Sequence, residues 1–297
     1  MNCYLPESMQ RCPPGYSRAE LEDALREGKI LTARAVRCSE GHDLLVDLGD
    51  IPGRIPRLEA ADGIASGAQR EIAILSCVGR PVSFRVTAMG ADGTALLSRR
   101  LAQREAMEHL LRTASPGDIL PAVVTNCTAF GAFCDVGCGA AALLGIARIC
   151  VSRISHAAER FAPGQPIFAA VHSIDRVRRR IFLTHKELLG TWAENAAAFR
   201  PGQTVTGIVR SQTDYGTFVE LTPNLSGLAE CAPSLRPGDH VAVYIKSIAP
   251  ETLKIKLSIL SPLPPQPRGA LHYFKTSGHL DQWRYGNAQF AKCYTIF

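Results

Sequence analysis

Two pairs of aromatic residues carry the chemistry that this sequence can offer: Phe130 with Phe133, and Tyr215 with Phe218. In each pair a glycine, Gly131 or Gly216, follows the first ring directly. Flat rings stack on bases of any identity, at about 1–3 kcal/mol per base, and cations nearby can hold the phosphates between them. Such cations follow each pair: Arg148, Arg153 and the run Arg176, Arg178, Arg179, Arg180 after the first, and Lys246, Lys254 and Lys256 after the second. The glycine permits a sharp turn and a close approach by another backbone. Rings three apart do not share a face of a regular strand, so each pair faces one way only if the chain bends between them. Otherwise one ring of each pair fills a core.

Other chemistry finds no support. There is no Gly-rich phosphate loop ahead of a helix, and no Ser/His/Asp set can be brought together by spacing. The ten cysteines are irregularly placed without any Cys-x-x-Cys, so buried free thiols are expected in place of a zinc site. No metal, cofactor or catalytic residue is expected, and the chain does not read as an enzyme.

The elements that must position the rings come in repeated form. Pro116-Gly117-Asp118 leads to Phe130, and Pro201-Gly202-Gln203 leads to Tyr215 over the same interval. Pro163-Gly164 leads to Ile181-Phe182-Leu183-Thr184, and Pro237-Gly238 leads to Ile255-Lys256-Leu257-Ser258, again over one interval. Matching intervals that end on matching chemistry mark an internal repeat. Within each copy, apolar positions such as Val205, Gly207 and Val209 alternate as in half-buried strands. About five short strands per copy are too few for a sandwich, and a small closed barrel removes strand edges.

The order Pro-Gly, aromatic-Gly-x-Phe, Pro-Gly and Ile-x-Leu-Ser/Thr resembles the RNA-binding repeat of the bacterial ribosomal protein S1 family. The likeness is strong over 116–260 and weak over 28–100. It implies a mainly β protein of tandem five-stranded oligonucleotide-binding (OB-fold, S1-type) barrels joined by short helices. It also places RNA contacts at Phe130, Phe133, Tyr215 and Phe218, with Arg148, Arg153, Arg178, Arg180, Lys246 and Lys254 as phosphate partners. One departure stands out. The family's Gly-Leu-x-His is replaced by Ala142-Leu143-Leu144-Gly145 and by Gly227-Leu228-Ala229-Glu230, so a histidine is missing and Glu230 is expected to repel phosphate.

Along the chain, residues 1–27 read as a loose, proline-bearing lead-in followed by a helix with the capping box Ser17-Arg18-Ala19-Glu20, stopped by Gly28. Residues 28–113 form a degenerate repeat that lacks the aromatic-Gly-x-Phe motif and ends in a helix over Arg99–Thr113. Residues 114–199 form a repeat with a helical linker over His185–Phe199, and 200–262 form another repeat. Ser261–Pro267 reads as an extended proline-rich linker. The tail 263–297 carries Tyr273, Phe274, Trp283, Tyr285, Phe290, Tyr294 and Phe297, which are expected to pack on the third barrel.

A net charge of +6 permits nucleic acid without demanding it. Segment 116–190 has eight Lys and Arg against five Asp and Glu, and 200–262 has six against five, so the second barrel is the better footprint. No apolar run reaches the ~18 residues of a membrane span, and a cytoplasmic chain is expected. The reading is a non-enzymatic binder of single-stranded messenger RNA in translation, reaching the small ribosomal subunit through 28–100. Open alternatives are an adaptor of an RNA-decay or transcription machine and a protein-interaction module with a reduced RNA face.

Overall fold

The alternating apolar pattern closes into three barrels of five strands each. The computed structural model describes residues 4–65, 67, 71–267, 269–286 and 293–297. The first barrel comprises β1 (Ile30–Cys38), β2 (Leu44–Asp47), β3 (Pro52–Ile55), β4 (Pro81–Met89) and β5 (Ala95–Ser98), closing in the order β1-β2-β3-β5-β4. The second comprises β6 (Ile119–Thr128), β7 (Gly131–Asp135), β8 (Ala141–Gly145), β9 (Pro166–Asp175) and β10 (Arg180–Thr184). The third comprises β11 (Thr204–Thr213), β12 (Gly216–Thr222), β13 (Leu225–Ala229), β14 (His240–Ala249) and β15 (Lys254–Leu263). In each, the third strand pairs parallel with the fifth, and the other pairings are antiparallel. The weakly repeated first segment therefore closes as fully as the other two.

Each barrel has its own core. Val82, Phe84 and Leu97 fill the first, Val124, Leu144, Ile181 and Leu183 the second, and Val209, Val243 and Leu257 the third. Helix α1 (Arg18–Glu27) begins at the reciprocal Ser17–Glu20 capping box and ends at Gly28 in the left-handed conformation. Helix α2 is a single turn, Ile72–Leu75. Helix α3 (Arg99–Thr113) packs on β4 and buries Arg99, Ala102, Gln103, Ala106 and Met107, a narrower apolar stripe than the sequence suggests. The linker over 185–199 is only partly helical, with a 3-10 turn at Lys186–Leu189 and the short helix α4 (Trp192–Ala196). The short helix expected over Ser155–Phe161 is a 3-10 turn at Ala157–Glu159.

Three sequence expectations change. The lead-in is not loose, because residues 4–10 join the first and second barrels. Arg99 donates to both carboxylate oxygens of Glu7 at 2.7 and 2.6 Å, and Ser83 N donates to Glu7 Oε1 at 2.9 Å. Glu7 N in turn donates to Asp135 Oδ2 of the second barrel at 2.7 Å. The proline-rich linker is partly strand, since Ser261 and Pro262 continue β15 opposite Ala242 and Val241.

The tail, finally, packs chiefly on the second barrel and on its junction with the third. Ile119 N donates to Gly278 O and Leu280 N to Gly117 O, both at 3.0 Å. The Tyr273 hydroxyl lies 3.0 Å from His185 Nε2. Thr295 Oγ1 donates to Glu187 Oε1 at 2.6 Å from a two-stranded hairpin, β16 (Gln282–Arg284) and β17 (Tyr294–Ile296). Tyr285 reaches the third barrel, donating to Asn224 O at 2.5 Å and packing at the edge of its core. Arg268 and Phe290 lie outside the described residues.

Candidate nucleic-acid interface

The bend that would turn both rings of a pair to one side is present in both copies. At Gly131 the backbone has φ +150°, and an added Cβ would lie 2.2 Å from Leu144 O. Gly216 has φ +153° with Ala229 O at 2.4 Å. Only glycine fits so close to the neighbouring strand. Phe130 and Phe133 then stand edge to face with centroids 5.8 Å apart, and Tyr215 and Phe218 do the same at 6.1 Å. Phe130 is 57% and Tyr215 69% exposed, so the leading ring of each pair is no part of a core.

Strand register extends each pair into a row across the outer face. In the second barrel Phe133 lies opposite Leu143, Leu143 opposite Phe182, and Phe182 opposite Ser173. In the third, Phe218 lies opposite Leu228, Leu228 opposite Lys256, and Lys256 opposite Ser247. The first barrel carries Leu45, Arg54, Leu96 and Ala88 in the matching row, without a ring. Phe182 and Leu143 were not singled out from sequence. The signal was there, because Phe182 alternates with the core residues Ile181 and Leu183 two places before the closing Thr184.

The cations divide into engaged and outward-facing. Arg176 Nε donates to Leu111 O at 3.3 Å, and Arg179 Nη2 pairs with Glu108 Oε1 at 3.0 Å, so both dock on α3. Arg178 pairs with Asp175 at 3.2 Å at the exposed turn. Arg180 is exposed and shares the face of Phe182, two residues on. Arg148 is half-buried beside Phe182, and Arg153 is exposed next to the junction with the third barrel, where Ser152 Oγ meets Ser226 Oγ at 3.0 Å. Lys254 and Lys256 are exposed on one face of β15. Lys246 lies 3.7 Å from Glu230 Oε2, and Ser258 Oγ donates to Glu230 Oε1 at 2.8 Å. Glu230 is therefore matched by a cation, which lessens the repulsion expected of it. Its hydrogen bonds and Lys246 hold it below the ordinary carboxylate range against a partial burial that acts the other way.

No group of three or more His, Cys, Asp or Glu is placed to hold a metal among the described residues. Burial pushes the Cys134 and Cys138 thiols up to about 12, which keeps them protonated. Among the described residues no helix is long and apolar enough to cross a membrane.

A family described as the S1 RNA binding domain matches residues 113–186, the span of the second barrel with its ring pair. The second barrel is an S1 RNA-binding domain. Over a longer stretch the chain is similar to small ribosomal subunit protein bS1 of Staphylococcus aureus strain COL, 27% identical over 265 residues, covering 84% of this chain and 66% of that protein. It is also 27% identical over 250 residues to bS1 of Leuconostoc lactis, covering 78% of this chain and 56% of that one. The chain thus spans a little under two thirds of the length of the Staphylococcus relative. A multidomain protein with nucleic acid binding domains from Streptococcus pneumoniae matches with 15% identity and a TM-score of 0.26, over 82% of this chain and 74% of that one. The S1 domain and the third barrel share the same bent ring pair, whereas the first barrel does not.

Proposed function

We propose that the chain binds single-stranded RNA through the outer faces of its second and third barrels, and that it holds messenger RNA at the small ribosomal subunit during translation. The observation that carries this reading is the duplicated ring pair. Two barrels independently bend at a glycine to present an exposed aromatic beside a half-buried one, with cations on the same face. A pair of rings without an array of base-reading side chains favours stacking, which tolerates any sequence. The names of the similar bS1 proteins support the ribosomal setting.

The first barrel takes the docking role in this reading, through residues 28–100. Its row has no ring, and Leu58, Ile72, Leu75 and Val78 are exposed along one stretch of it. Large exposed apolar side chains close in sequence suit a protein partner better than a phosphate chain. Fluorescence anisotropy with a pyrimidine-rich strand and its duplex tests the RNA half, and duplex binding as strong as single-strand binding overturns it. Co-sedimentation with small subunits, before and after nuclease, tests the docking half. Loss of co-sedimentation after nuclease would leave RNA as the sole tether.

A further inference from the structure

The S1 domain and the third barrel differ at one place on their outer faces, and the difference opens a cavity. Matching the ring pairs puts Gly145 where the third barrel has Glu230. Matching the second Pro-Gly elements puts His172 where it has Lys246, and Phe182 where it has Lys256. In the third barrel Glu230 fills this place, held by Lys246 and Ser258. In the S1 domain a Cβ on Gly145 would meet no atom within 4 Å. Its φ of −64° and ψ of 147° suit any residue, so the glycine is not required by the backbone. What it leaves is a cavity of about 340 Å³ lined by Leu143, Gly145, Arg148, His172, Ser173 and Phe182.

The lining has three distinct chemistries. Phe182 is a half-buried ring at the end of the row that starts at Phe133. Arg148 supplies a guanidinium that suits a phosphate oxygen. His172 Nδ1 is shielded from solvent and has no hydrogen-bond partner among the described residues. Burial, and then the positive charge of Arg148, hold this imidazole below its ordinary range, with Lys186 adding to the effect and Glu187 opposing it. At neutral pH the ring is therefore uncharged and offers one N–H donor and one acceptor. Base edges present the same alternation of donor and acceptor, and splayed bases of single strands expose them.

We propose that this notch is a nucleotide subsite: a base stacks on Phe182, its polar edge is read by His172, and its phosphate meets Arg148. The subsite rests on the RNA-binding reading and adds to it a position at which base identity matters, beyond the sequence-tolerant ring pair. A nucleotide within an RNA strand and a free nucleoside monophosphate share this chemistry, and the experiment separates them.

The test uses the full chain. Histidine ring resonances are followed by NMR during titration with uridine 5′-monophosphate, adenosine 5′-monophosphate and, as a base-free probe, ribose 5-phosphate; His172→Gln assigns the signal. The expected result is a His172 shift with at least one nucleotide and none with ribose 5-phosphate. Gly145→Ile, which has room for its side chain and is checked by thermal melting, should abolish the shift. The same variant should weaken binding of a single-stranded oligoribonucleotide by about five-fold or more, the effect of removing one stacked base. Phe130→Ala should weaken oligonucleotide binding and leave the His172 response to mononucleotide intact. A silent His172, together with a Gly145→Ile chain that binds the oligonucleotide as wild type does, overturns the subsite while leaving the RNA reading standing. A His172 response in a chain that binds no single strand overturns the RNA reading and supports a site for free nucleotide.

Discussion

Arg160 of the S1 domain and Glu220 of the third barrel meet across the junction of the two barrels, with side chains only 7% and 4% exposed. The contact is one of a set. Arg210 Nε donates to the same Glu220 Oε2 at 2.7 Å, and its Nη1 reaches Glu159 Oε2 at 2.5 Å. Asn224 adds neutral bonds, accepting from Val151 N at 3.0 Å and donating to Lys186 O and Gly190 O at 2.8 Å. Two guanidiniums and two carboxylates thus hold the ring-bearing barrels as one unit, which limits how far a bound strand could bend between them.

Glu220→Ala leaves the Arg160 and Arg210 charges buried with one carboxylate between them. Removing one partner of a buried ion pair costs about 3–5 kcal/mol. The expected outcome is a lower melting temperature, with faster protease cleavage in the 185–199 linker. A destabilisation below about 1 kcal/mol in urea titration would contradict the role given to this cluster.

His185 makes the S1 domain sensitive to acid. It is fully buried, and burial lowers its pKa to about 4, with the Arg160 charge adding to the effect and the bond to Ile149 O opposing it. Ile149 O can only accept, so Nδ1 carries the proton and Nε2 accepts from the Tyr273 hydroxyl. A histidine whose folded pKa is depressed contributes stability above its unfolded value near 6.5 and loses it as pH falls towards 4. That loss amounts to roughly 3 kcal/mol for a gap of this size. Unfolding free energy measured between pH 7 and 4 should fall accordingly. Tyr273→Phe should show a weaker hold of the tail at pH 7, seen as faster amide exchange around 273–280. Stability that stays flat across this range would remove His185 as the acid-sensitive group.

Local patterns were legible in the sequence, and contacts over long separations were not. The capping box at Ser17, the helix over Arg99–Thr113 and the three repeats are written in residues close together, and each appears where spacing puts it. The bend at Gly131 was recognisable as a need, since only a bend lets Phe130 and Phe133 face one way. Glu7 reads as one polar residue in a proline-bearing segment, because nothing local points to Arg99, 92 residues on. The arginine run reads as one cationic patch, yet Arg179 is engaged by Glu108 on α3, 71 residues earlier. Phe182 was hidden differently, as the middle of an Ile-x-Leu motif whose variable position carries the chemistry.

Phe130→Ala should leave the melting temperature within about one degree of wild type, because the ring is more exposed than buried and lines no core. It should cost about 1–3 kcal/mol of single-strand affinity. Tyr215→Ala should behave likewise in the third barrel. Anisotropy titrations paired with thermal melts check both. A normally folded Phe130→Ala chain that binds RNA as before removes this ring from the site.

The last expectation concerns which arginines meet phosphate. On a single strand, removing one phosphate-binding cation should flatten the dependence of log affinity on log salt by about 0.7. From sequence alone, Arg178, Arg179 and Arg180 are equivalent candidates, and their joint removal would flatten the slope by about three times that amount. The structure separates them. Arg179 is turned to Glu108 and to the Arg104 carbonyl, and Arg178 is paired with Asp175. Arg180 faces outward on the strand that carries Phe182. Arg180→Ala alone should therefore flatten the slope by about 0.7, and the triple replacement by little more. Arg179→Ala should act on stability through α3 and leave the salt slope unchanged. The exposed Arg179–Glu108 pair is worth at most about 1 kcal/mol, so even that effect should be small. Anisotropy titrations from about 50 to 300 mM salt measure these slopes within the range where the screening length is still comparable to the distances between the charges. If Arg179→Ala changes the slope as much as Arg180→Ala does, the pairing with α3 gives way to RNA on binding, and the assignment of phosphate contacts to Arg180 falls.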